Sequence, residues 1–253
     1  MRKFFFFDID GTLTQPLDNA VPESTREALS LLRARGHFVA IATGRMQSDA
    51  FAVAQSLGLS SCVSDGGECV TLDGKICYHN GLPKENCLEF FRKTDTEKFP
   101  WAAAVENARI ALTKDARYLE KVPVRYYDVR VTPDFDFEAA PCIHKIFVAC
   151  TKPELSEIDL CGLPHVWLRR GTLLLEPTRK DKGIRYVMET YHATDDDVVV
   201  FGDGMNDRAM FRPEWMSIAM GNAKDELKAM AKYVTAPSDQ DGIYLACKKF
   251  GWI

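Results

Sequence analysis

Short apolar runs alternate with amphipathic stretches in the first sixty residues. Residues 3–8 form an aromatic run that ends at Asp10-Gly11, and residues 37–42 form a second run that ends at Thr43-Gly44-Arg45. Between them, residues 22–35 repeat apolar side chains at helical spacing, with a proline near the start and a glycine after the end. Strands that alternate with amphipathic helices are typical of βαβ units, so this region predicts a parallel sheet.

The same alternation returns near the end of the chain. Residues 182–191 predict a helix, residues 198–201 predict a strand that ends at Gly202-Asp203-Gly204, and residues 215–220 predict another strand. The middle is different, because it is rich in short candidate strands and has few crossover helices, the clearest over residues 84–98.

This change of pattern predicts an α/β fold in two parts. We expect a doubly wound, mostly parallel-sheet core of the Rossmann type, formed by residues 1–82 and 180–253. We expect residues 83–179 to form an inserted α+β domain.

Composition narrows the class of protein. The chain has 253 residues, a net charge of −4, 46% hydrophobic and 27% charged residues, as in an ordinary globular protein. It has no basic excess for a nucleic-acid partner and no apolar stretch of the ~18–20 residues that a membrane span needs. We therefore expect no nucleic-acid or membrane partner and a cytoplasmic location. The eight cysteines lack CxxC pairs, which favours buried reduced thiols over a zinc site.

Two pairs of aspartates follow two of the predicted core strands. Asp8 and Asp10 stand after the first strand, at the edge where open α/β sheets bind ligands, and alternation in an extended segment would put both carboxylates on one side. One carboxylate there can attack phosphorus while the other transfers protons. Asp203 and Asp207 follow a later strand, and crowded carboxylates of this kind suit Mg²⁺. Taken singly, each pair is explained as well by a solvated turn or a helix cap.

Two further segments offer contacts for phosphate. Thr43, Gly44 and Arg45 supply a hydroxyl and backbone N–H groups at a strand-to-helix turn, although an ordinary turn has the same composition. Lys182 lies near a helix start, where an ammonium opposes the helix dipole. Its position makes sense if it faces phosphate and carboxylates, and the alternative is a plain surface lysine.

Together these segments resemble the four motifs of the haloacid dehalogenase superfamily. The matching segments are residues 8–14 (DIDGTLT), 42–45 (ATGR), 182–183 (KG) and 202–207 (GDGMND). Their order and spacing are similar to those of the Cof-type branch (subclass IIB), in which a large α/β cap is inserted between the second and third motifs. One departure is Asp65, which stands where that branch commonly has asparagine.

The resemblance implies a role for each matching residue. Asp8 is expected to form a phosphoaspartate, Asp10 to act as general acid and then base, and Lys182 to offset charge. The expected phosphate-binding residues are Thr43, Gly44, Arg45 and Asn206. Mg²⁺ is expected to be held by Asp8, the Asp10 backbone carbonyl and Asp203, with Asp207 and Asn206 orienting these ligands.

The resemblance also implies a Mg²⁺-dependent phosphatase whose cap selects the substrate. Sugar-phosphate phosphatases are the nearest look-alikes, which favours a hexose or pentose phosphate. Candidate cleft residues are Trp101, Lys145, Arg169 and Arg170, each of which could equally be a surface or core residue of the cap. We expect a small phosphorylated substrate as the partner and a monomer or weak homodimer. The alternatives are a phosphomutase and a catalytically silent, phosphate-binding regulatory protein.

Overall fold

The computed structural model describes residues 2–16, 20–168 and 172–253. The chain divides into two compact units, a core unit of Met1–Tyr78 with Arg179–Ile253, and an inserted unit of His79–Thr178. The sequence pattern placed these two boundaries at residues 82 and 179.

The first part of the core unit builds one half of an eight-stranded sheet. Its strands are β1 (Phe4–Phe7), β2 (Phe38–Ala42), β3 (Cys62–Ser64), β4 (Cys69–Leu72) and β5 (Lys75–His79), and its helices are α1 (Glu23–Ala34) and α2 (Gln47–Ser56). The hairpin between β4 and β5 turns at Asp73-Gly74, where both residues have positive φ, at 47° and 78°. Positive φ at both central residues is the geometry of the tight hairpin turn that Asp-Gly favours.

The inserted unit is an α+β fold around a six-stranded sheet. Its elements are α3 (Lys84–Lys93), β6 (Trp101–Ala104), β7 (Ile110–Thr113), α4 (Arg117–Lys121), β8 (Asp128–Val131), β9 (Lys145–Ala149), β10 (His165–Leu168) and β11 (Thr172–Leu175). The strand order is β10-β11-β9-β6-β7-β8.

Helix α3 is shorter than its sequence predicts. It was expected to extend to residue 98, but it ends at Lys93. The Thr94 hydroxyl bonds back to the Phe90 carbonyl oxygen at 2.7 Å, and the Asp95 carboxylate accepts hydrogen bonds from the N–H groups of Glu97 and Lys98. These side-chain contacts offer the backbone an alternative to another helical turn.

The second part of the core unit completes the eight-stranded sheet. Its elements are α5 (Lys180–Tyr191), β12 (Val198–Gly202), β13 (Met216–Ala219), α6 (Asp225–Lys228), β14 (Tyr233–Val234) and α7 (Gly242–Lys249). The strand order is β14-β13-β12-β1-β2-β3-β4-β5, and β1 pairs in parallel with both β2 and β12. In this register Phe7 lies beside Phe201 and Ile41, so the carboxyl ends of the three strands meet at one edge.

Helices cover both faces of this sheet, which explains why β1 consists of four phenylalanines. Phe5 and Phe7 pack with residues of α1 and α7, whereas Phe4 and Phe6 pack with residues of α5. A parallel strand buried on both faces has no polar side to present, so its sequence is continuously apolar. The predicted doubly wound α/β core is therefore confirmed, and β1 lies at its centre.

Two further expectations can be compared with the fold. Within the described parts of the chain, no helix is both long enough and apolar enough to cross a bilayer. The eight cysteines are free thiols, and five of them are buried.

Candidate active site

The first acidic residue of the site is Asp8, which directly follows β1. The Asp8 N–H donates to the Phe201 carbonyl oxygen at 3.0 Å, which holds the residue against β12, and its side chain is buried. The chain then turns tightly, with the Leu13 N–H bonded to the Asp8 carbonyl oxygen and Gly11 at a φ of 79°. The strand therefore delivers the Asp8 carboxylate to the carboxyl edge of the sheet, and the turn carries the chain away from it.

Asp203 reaches the same place from β12. A Cβ atom on Gly11 would lie 2.3 Å from Asp203 Oδ2, so only glycine at position 11 lets this carboxylate pack against the turn. Thr12 Oγ1 donates to Asp203 Oδ1 at 3.3 Å, and the Asn222 side-chain amide donates to the Gly11 carbonyl oxygen at 2.8 Å. The turn after β1 is thus tied to the loop after β12 through Asp203 and to the loop after β13 through Asn222.

The side chain of Asp207 holds the loop after β12 through two hydrogen bonds. Its Oδ2 accepts hydrogen bonds from the N–H groups of Asp203 and Gly204, at 2.9 and 3.0 Å. The side chain is completely buried, and a Cβ on Gly202 would lie 2.7 Å from the same oxygen. Asp207 therefore fixes the backbone from which the Asp203 carboxylate projects.

The cation of this cluster is Lys180. Its Nζ donates to Asp8 Oδ1 and to Asp207 Oδ1, each at 2.6 Å, and the side chain is fully buried. Burial opposes the charged ammonium, but the carboxylates of Asp207 and Asp8 outweigh that effect and raise the pKa of Lys180.

Lys182, the lysine expected here, is elsewhere. It is half exposed and pairs with the Glu68 carboxylate at 2.6 and 2.8 Å. Two residues along an α-helix turn the side-chain direction by about 200°, so Lys180 and Lys182 point to nearly opposite sides. The lysine that contacts the acidic cluster is therefore Lys180, and not Lys182 as the Lys-Gly dipeptide predicted.

The carboxylates outnumber the cations in this cluster. Ligand oxygens of Asp8, Asp203 and Asp207 all lie within 4.8 Å of one another, and one ammonium contacts them. Burial, together with the Asp207 carboxylate, raises the pKa of Asp203 to about 7 and also raises that of Asp8. Three carboxylates and one ammonium leave an excess negative charge in a buried place.

This donor set fits a hard divalent cation. Carboxylate oxygens are the ligands that hard divalent ions such as Mg²⁺ prefer. Burial first, and then the neighbouring Asp207 carboxylate, raise the pKa of Asp203, and a bound cation would offset the negative charge of the cluster. The cluster therefore has both the chemistry and the charge for a divalent metal site.

Three of the four expected phosphate-binding residues, Thr43, Gly44 and Arg45, follow β2. Thr43 is buried, its N–H donates to the Val63 carbonyl oxygen at 2.9 Å, and its Oγ1 accepts the Arg45 N–H at 3.2 Å. Gly44 follows directly, at the same edge of the sheet. Asn206 lies in the loop after β12, with its Oδ1 over Gly204.

Asp10 differs from Asp8 in its surroundings. Its side chain is 54% exposed, and the Arg45 guanidinium contacts both of its oxygens, at 2.6 and 3.0 Å. The two acids of the DxD segment are thus separated by environment, since Asp8 is buried against Lys180 while Asp10 is half exposed against Arg45.

The backbone conformation at Asp65 explains why aspartate can stand where asparagine is the commoner residue. Asp65 has a φ of 50°, in the left-handed region, where aspartate and asparagine are among the most tolerated residues. Its N–H donates to the Arg45 carbonyl oxygen at 2.8 Å. Either residue can adopt this backbone conformation, so the turn is kept.

Three residues of the site were missed by sequence reasoning, namely Lys180, Thr12 and Asn222. A signal for Lys180 exists in the spacing, because Lys180, Ile184 and Val187 recur at the helical period of the buried face of α5. Lys182 falls outside that stripe. Thr12 and Asn222 act through single hydrogen bonds from loops, for which local sequence gives no comparable signal.

The residues suggested for substrate selection belong to the inserted unit. Lys145 is buried and pairs with Glu176. Trp101 is buried and stacks on Phe91, with ring centroids 3.9 Å apart. Arg169 and Arg170 lie outside the described residues.

Comparison of the sequence with known proteins points to one family. The family model described as haloacid dehalogenase-like hydrolase matches residues 5–160 and 173–246. The Bacillus subtilis (strain 168) protein YkrA, named as a candidate phosphatase, is 33% identical over 98% of both chains.

Solved structures give the same result. A Geobacillus kaustophilus HTA426 protein of unassigned function superposes with a TM-score of 0.84 at 28% identity, with all of both chains covered. The subclass IIB sugar phosphatase BT4131 superposes with a TM-score of 0.78 at 28% identity, over 99% of this chain and all of that one. The chain therefore belongs to the haloacid dehalogenase-like hydrolases, as a phosphatase of their Cof-type branch.

Proposed function

We propose that this phosphatase is a Mg²⁺-dependent phosphomonoester hydrolase that works through a phosphoaspartate on Asp8. The observation that carries the proposal is the buried carboxylate of Asp8 at the end of β1, in contact with Lys180 and within reach of Asp203 and Asp207. A nucleophile that attacks a phosphate dianion needs its own charge and that of the phosphate offset. Lys180 supplies one positive charge at Asp8 itself.

The chemistry divides between the two acids of the DxD segment. An Asp8 carboxylate oxygen attacks phosphorus, and the bond from phosphorus to the leaving oxygen breaks. Asp10 gives its proton to that oxygen, and then accepts a proton from the water that attacks the phosphoaspartate, which releases inorganic phosphate and restores both carboxyl groups. A half-exposed acid such as Asp10 suits this exchange, because it must meet both the leaving group and water.

Mg²⁺ would be held by Asp8, Asp203 and the Asp10 backbone carbonyl, with Asp207 fixing the loop of Asp203. When bound, it supplies positive charge beside the phosphoryl oxygens. Thr43 and the Gly44 N–H would bind those oxygens from the end of β2. Asn206 would do so from the loop after β12.

The proposed substrate class is hexose or pentose phosphates. Its support is the likeness to BT4131, which is described as a sugar phosphatase. The inserted unit, which in this branch selects the leaving group, would carry the specificity.

The test is phosphate release by purified protein with and without Mg²⁺. The panel comprises p-nitrophenyl phosphate, hexose and pentose phosphates, and nucleotides. We expect Mg²⁺-dependent release that EDTA abolishes, with the highest kcat/KM on a sugar phosphate. Interconversion of hexose 1- and 6-phosphates without phosphate release would instead identify a mutase.

Asp8→Asn tests the nucleophile, because an amide of the same shape cannot attack phosphorus. We expect turnover to fall by at least about 10³-fold, while circular dichroism shows an unchanged fold. Mass spectrometry of the quenched wild type should detect a phosphoryl group on the peptide that contains Asp8. Turnover retained in this variant would remove Asp8 from the proposed role.

A further inference from the structure

The carboxylate of Asp10 is held at two points by one guanidinium. Arg45 Nη2 donates to Asp10 Oδ1 at 2.6 Å, and Arg45 Nε donates to Asp10 Oδ2 at 3.0 Å. A two-point contact of this kind fixes the plane of the carboxylate as well as its position. Because the Asp10 side chain is otherwise half exposed, this contact limits its rotation.

Arg45 is itself fixed by the fold. Its backbone N–H donates to Thr43 Oγ1 at 3.2 Å, and its carbonyl oxygen accepts the Asp65 N–H at 2.8 Å. Its Nη1 lies 3.4 Å from Asp49 Oδ2, in the first turn of α2. The backbone of Arg45 is therefore held by Thr43 and by the Asp65 loop, and its guanidinium is held from α2 by Asp49.

We propose that Arg45 is a positioning residue for proton transfer, which orients Asp10 toward the leaving oxygen. Each carboxylate oxygen has two lone pairs, and the guanidinium occupies one on each oxygen, so the other can carry the transferred proton. The inference rests on the proposed function, in which Asp10 is the general acid. It differs from the expected role of Arg45 as a phosphate ligand, because a phosphate ligand acts on every phosphomonoester alike.

Leaving groups of different basicity distinguish these two roles. Protonation of the leaving oxygen matters little for p-nitrophenyl phosphate, whose phenolate leaves readily, and much more for phenyl phosphate. The two substrates have the same ring and the same phosphate. We expect Arg45→Gln to lower kcat/KM for phenyl phosphate by roughly tenfold more than for p-nitrophenyl phosphate. Asp10→Asn should change the ratio in the same direction and further.

Two further variants should change the ratio of kcat/KM for the two aryl phosphates by smaller amounts than Arg45→Gln does. Arg45→Lys keeps the charge but offers one contact in place of two, so we expect it to restore part of the lost ratio. Asp49→Asn loosens Arg45 without touching Asp10, so we expect a smaller change of the same sign, in a protein that keeps the Asp10–Arg45 pair.

The matched control is Arg117→Gln in the inserted unit. Arg117 holds both oxygens of Asp115, with Nη2 2.7 Å from Asp115 Oδ2 and Nε 3.0 Å from Asp115 Oδ1. Its removal breaks the same kind of pair, and we expect no change in the ratio. The inhibition constant of inorganic phosphate should change by less than about threefold in Arg45→Gln, since the proposed role is not phosphate binding.

An equal loss on both aryl phosphates in Arg45→Gln, with a matching rise in the inhibition constant of phosphate, would overturn the inference and leave the phosphatase intact. A wild type that releases phosphate from no phosphomonoester, neither these aryl phosphates nor the sugar phosphates, would instead overturn the proposed function itself. Circular dichroism and thermal melting of each variant establish that it is folded.

Discussion

The core unit and the inserted unit each bury a lysine, but in different electrostatic surroundings. In the inserted unit Lys145 pairs with Glu176, so a positive charge faces a negative one. In the core unit Lys180 contacts Asp8 and Asp207, and Asp203 lies close to both carboxylates. One ammonium there faces three acids.

The difference separates a structural pair from a reactive site. A buried pair of opposite charges is neutral as a whole, so it needs no further ion once it has formed. A buried cluster with excess negative charge is balanced either by protons or by a cation that comes from outside the chain. Burial, together with the Asp207 carboxylate, raises the pKa values of Asp8 and Asp203, and a bound cation would lower them again.

Removing the lysine of the core unit should have the largest effect on activity. Lys180→Met removes the ammonium that contacts the proposed nucleophile, and we expect kcat on p-nitrophenyl phosphate to fall by about 10³-fold at saturating Mg²⁺. The paired variant is Lys182→Met, two positions along the same helix, where the lost contact is an exposed pair with Glu68.

For Lys182→Met we expect kcat within about threefold of the wild type, because an exposed ion pair contributes little. The reverse order of the two effects would return the catalytic lysine to position 182. Thermal melting in Mg²⁺ shows whether each variant is folded.

These two lysines also show which features of the site the sequence predicts and which it does not. Apolar runs and turn residues predicted the core strands, the insertion and the acids at strand ends, because buried strands and tight turns restrict residue types strongly. The choice between Lys180 and Lys182 depends on the rotation of α5, and the dipeptide Lys-Gly does not reveal it. The buried stripe of α5 does.

Contacts between distant segments were not predictable in the same way. The Arg45–Asp10 pair joins residues 35 positions apart, and the Asn222–Gly11 hydrogen bond joins residues 211 positions apart. Neither contact leaves a local pattern, since each depends on how two loops meet at the edge of the sheet. In the inserted unit, the length of α3 was decided by side-chain bonds of Thr94 and Asp95, which competed with the helix.

Breaking the balanced pair of the inserted unit should lower stability. Lys145→Met leaves the Glu176 carboxylate buried with its ammonium partner removed, and we expect the free energy of unfolding to fall by about 3–5 kcal/mol. Urea denaturation followed by circular dichroism measures it.

The double variant Lys145→Met/Glu176→Leu removes both charges and should recover most of that loss, because two apolar side chains of similar size can replace a buried pair. A single variant that loses less than about 1 kcal/mol would show that the Glu176 carboxylate finds another partner or reaches water.

The smallest effect concerns the excess charge of the core unit, and its sign follows from proton binding. The folded protein without metal holds the Asp203 proton up to a pKa of about 7, whereas an unfolded chain releases it near 3.8. Between these pH values the folded state binds more protons than the unfolded state, so stability falls as pH rises. Asp203→Asn cannot titrate, so in EDTA the variant should become more stable than the wild type by about 1–3 kcal/mol from pH 4 to 7.

Added Mg²⁺ should favour the wild type over Asp203→Asn, so the same two proteins also test the metal site. A bound divalent cation favours the ionised carboxylate, so added Mg²⁺ should stabilise the wild type at pH 7 more than it stabilises Asp203→Asn. Added Mg²⁺ changes the ionic strength equally for both proteins. The difference between their gains in unfolding free energy therefore reports binding at this carboxylate. If the difference in unfolding free energy stayed constant across pH in EDTA, Asp203 would be ionised already without metal, and the charge of the cluster would be balanced by the chain itself.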